Sequence, residues 1–403
     1  MRVIHRPSAS PVVFCGLAIA AGTRHEEAGE EGLAHFCEHL SFKGTTRRTA
    51  LQIINSIEGL GGELNAFTNK EDTVYYCAIL RDHVRKAVDV VCDIVFHSQY
   101  PQAEVEKERE VVCDEIESYE DTPAELIYDD FENILFEGHP LGHNILGTSE
   151  QVRSYTRADA MRFRQQWYKP ERCVLFVSAA QQTRPQPLTV KEGSKHPQDE
   201  ETVNTLANEA SSSLPRREEP GEGLLVRDRG THQAHVMVGT RAYAAGDERR
   251  WVLYLLNNIV GGPALNSRLS MALRERNGLV YTADSSMVSY SDSGLWSIYF
   301  GCDPGDTKHC LRLVRRELDR LMDKPLSEAQ LRAAKRQLQG QLAIAAENRE
   351  QTVLDCARTF LHTGKVRTVG DVMAHIATLS AADLQQCAQE LFAPERLTTL
   401  IYK

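Results

Sequence analysis

The 403-residue chain has no Cys-x-x-Cys pair, no basic excess and no apolar run of membrane-spanning length. Each absence excludes something. The ten cysteines (Cys15, Cys37, Cys77, Cys92, Cys113, Cys173, Cys302, Cys310, Cys356 and Cys387) are scattered, which rules out a zinc-ribbon or thioredoxin-like motif. Several lie inside apolar runs, Cys77 in VYYCAIL and Cys92 in VVCDIVF. They read as small buried hydrophobes in a reducing compartment. A net charge of -10 speaks against nucleic acid as a partner, because a phosphate-binding surface needs a basic excess. The apolar stretch from Pro11 to Ala21 is shorter than the roughly 18 residues a membrane span needs, so none is expected. A signal-peptide reading of that stretch is weak. It opens with β-branched residues, and cleavage near Ala21 would remove what reads as the first core strand. A cytoplasmic location is the expectation.

What is present suits two or three globular domains, since 42% of residues are hydrophobic and 25% charged. Residues 12–21 read as a strand and 30–42 as a helix, with Leu33, Phe36, Cys37 and Leu40 at helical spacing. A second helix is expected from Thr49, its N-cap, to a stop at Gly61-Gly62. Residues 63–80 alternate as two strands around the polar tip Asn69-Lys70-Glu71-Asp72. Helices follow over 82–96, 102–119, 124–136 and 158–167, then a strand over 173–179. Between Gln181 and Glu222 lie five prolines, many charges and the run Ser211-Ser212-Ser213, which read as a linker broken by a short helix near 201–210. The second half begins at Leu224 and repeats the order of the first. It has a strand at 234–240, helices at 249–260 and near 267–276, strands at 281–290 and 294–302, and helices at 308–322 and 328–346. The expected fold class is α+β: two homologous domains, each an antiparallel-rich sheet packed with several helices. The expected boundaries are 1–182, a linker over 183–222, and 223–403.

His35 and His39 stand four residues apart on the first helix and project from one face about a turn apart. Two imidazoles so placed can share a zinc ion. Glu38 lies about 100° round the helix, close enough to take a proton from a metal-bound water without being a ligand. A catalytic zinc needs a third protein ligand, and Glu115, 76 residues after His39, is the candidate. Glu108, seven residues earlier and two turns away on the same face, can hold a ligand histidine or act as a spare acid or base. Against this stand two plain alternatives. His-x-x-Glu-His occurs by chance in helices, and a Glu-rich helix is usually a solvated face.

The stretch GLAHFCEHLSFKGT (Gly32–Thr45) resembles the signature of the pitrilysin-type, or insulinase and mitochondrial-processing-peptidase-like, metallopeptidases. The likeness continues through GGELNAFTNKEDTVYY, EREVVCDEI, HPLGHNILGT and GGPALNSRLSMALRERNGLVY, in the family's order and over nearly the whole chain. The length matches half-size members, which carry two homologous domains and pair into a clamshell, implying a homodimer or a pairing with a related chain. The resemblance implies that His35, His39 and Glu115 bind Zn2+, that Glu38 is the catalytic base, and that Glu108 is a second essential glutamate. Asn65, Ala66 and Phe67 match the edge strand beside the scissile bond of a peptide substrate held extended in an enclosed chamber. Arg274 and Tyr281 match a substrate-holding pair from the second half. Without the resemblance they would be a surface helix charge and a strand aromatic. The sequence departs from the family after Ala179, where Ala-Gln-Gln-Thr-Arg-Pro replaces a Gly-Asp-like turn and helix.

The implied activity is zinc-dependent endopeptidase. A non-catalytic binding or assembly subunit of the same fold is the alternative, opposed by the intact His35, Glu38, His39 and Glu115. A zinc hydrolase acting on esters or other amides is a third reading.

Overall fold

Two alternating patterns of apolar residues, one in each half, build two five-stranded sheets with the same strand order. The structure, a computed structural model, describes residues 1–179 and 223–403. In the first half the elements are β1 (Arg2–Pro7), β2 (Val12–Ile19), α1 (Leu33–Ser41), α2 (Ala50–Ile57), β3 (Glu63–Thr68) and β4 (Thr73–Leu80). They continue as α3 (Val84–His97), α4 (Gln102–Glu120), α5 (Pro123–Leu135), α6 (Ser149–Ser154), α7 (Arg157–Trp167) and β5 (Cys173–Ala179). The second half holds β6 (Leu224–Arg227), β7 (Ala234–Ala242), α8 (Arg249–Gly261), a π-helical turn (Ser270–Glu275), β8 (Val280–Ser289) and β9 (Gly294–Cys302). It ends with α9 (Thr307–Asp323), α10 (Glu328–Ala345), α11 (Arg349–Thr363), α12 (Val369–Thr378), α13 (Ala381–Leu391) and β10 (Thr398–Tyr402).

The sheets run β1-β5-β2-β4-β3 and β6-β10-β7-β9-β8. In each, the first strand pairs parallel with the last, and every other pairing is antiparallel. The duplication expected from element order is therefore present in the topology. The strand at 12–19 is not the first of its sheet. It is the centre, flanked by β4 and β5, and its neighbour β5 is flanked in turn by β1. The short, largely exposed β1 and β6 gave no alternation to read, and β10 and the helices α11–α13 also went unread. The helix expected from residue 30 begins at Leu33, because Gly29 and Gly32 both hold positive φ (90° and 92°) that only glycine adopts at low cost. The helix expected near 267–276 is the π-helical turn. Thr49 caps α2, accepting from the Gln52 N–H. The short helix expected near 201–210 and the altered segment beyond Ala179 lie outside the described residues.

One face of each sheet packs on its own helices. The first core joins Val13, Cys15, Leu17, Tyr75 and Cys77 of β2 and β4 to Phe36 of α1 and Val91 of α3. The other faces are covered by exchange between the halves. Val353, Leu354, Ala357 and Leu361 of α11 pack on Ile4, Ala18, Val74 and Phe176 of the first sheet. Leu126, Ile127 and Phe131 of α5 pack on Met237, Leu295, Leu400 and Tyr402 of the second. At roughly 1.5–3 kcal/mol for each large apolar side chain fully buried, this reciprocal cover stabilises the association of the two halves.

The polar tip of the β3–β4 hairpin is buried in the same seam: Lys70, Glu71 and Asp72 are 2%, 7% and 1% exposed. Asp72 accepts from Arg358 Nε (2.9 Å) and His362 Nε2 (2.8 Å) of α11. Glu71 accepts from the Ser291 N–H (2.9 Å) and hydroxyl (2.6 Å) and pairs with Arg24, which also reaches Asp292. Lys70 donates to the His143 carbonyl. All ten cysteines are free, and all but Cys92 are buried, as the apolar runs implied. Among the described residues no helix is long and apolar enough to cross a membrane.

Candidate metal centre

Helix α1 is almost wholly buried, so its polar residues are held by packing around them. Its N-terminus has no side-chain cap at Gly32. The carboxylate of Glu26 takes that place, accepting from the N–H groups of Gly32 (3.0 Å) and Ala34 (2.7 Å). His143 Nε2 lies 3.0 Å from the same carboxylate. Burial pushes the Glu26 carboxyl up to about 7, against the pull of these hydrogen bonds. Helix α4 turns Val105, Glu108, Val112, Cys113 and Ile116 inward, which sets Glu108 and Glu115 against α1.

The structure brings His35, His39 and Glu115 together, one donor atom from each lying within 4.8 Å of the others. His35 Nε2 is 3.8 Å from Glu115 Oε1, and His39 Nε2 is 3.4 Å from Glu115 Oε2. Glu108 lies behind this group. Its Oε2 is 3.3 Å from His39 Nδ1, and its Oε1 is 2.7 Å from Lys43 Nζ. That contact fixes the ring and leaves Nε2 facing the cluster. His35 has no such support, since its buried Nδ1 makes no hydrogen bond. Glu38 is buried, and the Thr68 hydroxyl donates to its Oε2 at 2.6 Å.

The electrostatics follow from these contacts. Burial, reinforced by His39, holds the His35 imidazole down to about 4, so it is neutral and ready to ligate. Burial also disfavours charge on His39, but hydrogen bonds with Glu108 and Glu115 outweigh it and raise the ring to about 9. A metal ion would have to displace that proton. Burial raises the Glu38 carboxyl, with the Thr68 bond opposing, in the direction that suits a general base. The His39 bond lowers Glu115, whereas for Glu108 the bonds from His39 and Lys43 overcome its burial. Two imidazole nitrogens and a carboxylate oxygen, converging with one side open, fit a tetrahedral Zn2+ site with three protein ligands.

Asn65, Ala66 and Phe67 lie in β3, the edge of the first sheet, paired only with β4 among the described residues. Arg274 lies in the π-helical turn with a 3.5 Å contact to Glu275. Tyr281 is 85% exposed at an irregularity of the edge strand β8. Among the described residues no hydrogen bond or ion pair joins either residue to His35, His39 or Glu115. Reading the sequence missed Thr68, Glu26 and His143, and assigned Lys43 no role. Thr68 carried a signal as the last residue of an alternating strand whose middle residues had been singled out, and His143 as a member of the family-like stretch HPLGHNILGT.

Residues 2–149 match the family profile described as Insulinase (Peptidase family M16), and residues 154–338 match Peptidase M16 inactive domain. Among curated relatives, the uncharacterized zinc protease YmxG of Bacillus subtilis is 31% identical over 389 residues, covering 96% of this chain and 92% of that protein. The uncharacterized zinc protease ML0855 of Mycobacterium leprae is 34% identical over 382 residues, covering 93% and 83%. Among solved structures, a protease from Helicobacter pylori superposes with a TM-score of 0.85 at 21% identity, covering 100% of this chain and 96% of that one. That likeness concerns the fold. With relatives above 30% identity along nearly its whole length and family profiles over both halves, the chain belongs to the insulinase family of peptidases, family M16.

Proposed function

We propose that this chain is a zinc-dependent endopeptidase that hydrolyses peptide bonds in extended segments. The observation that carries the reading is the convergence of His35, His39 and Glu115 beside a buried carboxylate that is not itself one of the three. His35, His39 and Glu115 would hold the ion. When bound, zinc polarises the scissile carbonyl and acidifies the attacking water. Glu38 takes the proton of that water on its carboxylate and returns it to the departing amine. Thr68 keeps one oxygen of Glu38 in place, so the other is free for the transfer. Glu108 orients His39. The free edge of β3 at Asn65–Phe67 receives the substrate as an added strand, through main-chain hydrogen bonds that ignore side-chain identity.

Arg274 and Tyr281 act in this proposal from the second half of a partner chain, in a homodimer or a pairing with a related chain that encloses the substrate. Their exposure and their lack of contact with the metal cluster of their own chain support this reading. The test mixes two inactive variants, Glu38→Gln and Arg274→Ala, on a quenched peptide. Recovered hydrolysis is expected, and no recovery despite demonstrated subunit exchange counts against the composite site. For the activity itself, the wild type should cleave the peptide and lose cleavage to a chelator. Zinc binding without cleavage of any unfolded peptide would favour the assembly-subunit alternative. A cytoplasmic location belongs to the same proposal and is tested by fractionation.

A further inference from the structure

A cavity of about 480 Å3 opens at the seam between the halves and shares no residue with the metal cluster. Its wall includes Arg6 of β1, Arg250, Trp251 and Tyr254 of α8, Arg358 of α11, and Arg367 just before α12. The volume lies within the range of small-ligand pockets, roughly 300–1,000 Å3. The cations are distributed unevenly. Arg358 is held by Asp72 at 2.9 Å. Arg6 donates to the neutral carbonyl of Thr352 at 3.0 Å. The carboxylate contact of Arg367, to Glu248, is long at 3.7 Å. Arg250 makes no ion pair and no side-chain hydrogen bond among the described residues. Two of the guanidinium nitrogens, Arg250 Nε and Arg367 Nη1, are buried without any hydrogen-bond partner.

Trp251 is in contact with both of these arginines, their guanidinium carbons lying 4.2 Å and 5.2 Å from its ring centroid. The ring places both cations without neutralising either. Two carboxylates also stand on the wall, Glu71 and Asp355, the second facing Arg358. Glu71 is bound by Ser291 and Arg24, and Asp355 accepts from Gln351 Nε2 at 2.8 Å. Both nitrogens are closed to solvent, so an oxyanion in the cavity would meet the remaining guanidinium nitrogens of these two arginines, which that burial does not shut off and which form charge-assisted bonds best with an oxyanion. A carboxylate offers two coplanar oxygens and suits one guanidinium fork. A tetrahedral phosphate offers acceptors in several directions and suits arginines entering from β1, α8 and the start of α12.

We propose that this cavity is a binding site for a phosphate-type oxyanion, either free or as the head of a small organic phosphate, with Arg250 and Arg367 as its main ligands and Arg6 as a third. The site is independent of the peptidase reading, and its test uses no turnover. Inorganic phosphate and a nucleoside monophosphate are titrated calorimetrically into the full chain at constant ionic strength, with acetate as the comparison. Saturable binding of phosphate is expected, and it should persist after chelation, since an anion held by a metal would leave with it. Arg250→Gln and Arg367→Gln should each weaken binding by about tenfold or more while leaving the melting temperature without phosphate unchanged. If either variant unfolds, Lys at the same position keeps the charge, removes the fork and should still weaken binding. Tighter binding of the nucleotide than of phosphate points to the organic ligand, and equal binding to phosphate itself. Three results overturn the assignment: no saturable binding of either anion, binding unaltered by both substitutions, or acetate binding as well as phosphate.

Discussion

The two halves of the chain share a strand order and differ in what they place at the same step of it. After its second strand, the first half runs into α1, which sets His35, Glu38 and His39 among apolar neighbours. At that step the second half has α8, whose buried positions are Leu253, Leu255, Leu256, Asn258, Val260 and Gly261. The first half then turns Glu108 and Glu115 of α4 toward α1, whereas α10, next after the corresponding helix α9, buries only Leu338. The apolar pattern that makes the sheet and its cover was kept in both halves. The polar substitutions that make a metal centre stand in one. The same strand order is thus built in the second half without a group of metal-capable side chains among the described residues. What the second half supplies is the cover of α11 and the partners of the buried hairpin tip.

That division can be broken or sharpened by substitution. The largest effect is expected at the ligands: Glu115→Ala should lose bound zinc, read by atomic absorption, together with essentially all hydrolysis. Glu38→Gln should keep the metal and lower kcat by about 10²–10⁴. Zinc retained by Glu115→Ala would move the centre elsewhere. Next come Arg274→Ala and Tyr281→Phe, which should lower kcat/KM by up to about 10²–10³ without a change in melting temperature, because both side chains are largely free of intrachain support. Unchanged kinetics in both would leave the second half a scaffold alone. Asp72→Asn should destabilise the whole chain by about 2–4 kcal/mol in urea unfolding, since it leaves Arg358 and His362 facing a neutral group in the seam. If only one half loosens, the halves are not a single cooperative unit.

The same residue predicts a pH dependence. Burial works against the Asp72 carboxylate, but His362 and Arg358 overcome it and hold it down to about 2, from a usual 3.8. Its contribution is therefore complete above about 3.8 and lost as the pH falls through 2. The loss is on the order of 2 kcal/mol, and Asp72→Asn should abolish that part of the acid slope. The smallest effect is local: Ser327→Ala removes the hydroxyl that accepts from Gln330 N–H at the start of α10 and should cost about 1 kcal/mol without touching activity.

Much of this was legible beforehand because the residues involved signal locally. His35 and His39 share a helix face by spacing alone, and Glu108 and Glu115 share another. The meeting of those two faces was implied by the family resemblance, since no local rule joins residues 76 apart. The helices and long strands were readable where apolar residues recur at a period. β1 and β6 were not, because they are short and exposed at nearly every position, so no alternation of buried and exposed residues marks them. The burial of Lys70, Glu71 and Asp72 was the least legible feature. Four polar residues between two strands look like a solvated turn, and the groups that bury them lie far away in the chain.

That distance has a consequence for how the molecule comes into being. Asp72 finds its partners 286 and 290 residues later, in α11. The same hairpin carries Thr68, which holds Glu38. As the chain leaves the ribosome, His35, His39 and Glu115 have all been made once α4 has emerged. The strand that carries Thr68 leads into Lys70 and Glu71, which have His143 and Arg24 within the first half, and into Asp72, which does not yet have its partners. Until α11 has been made and docked, the tip of that hairpin has neither Arg358 nor His362 for Asp72, and a chain cut short before α11 lacks both.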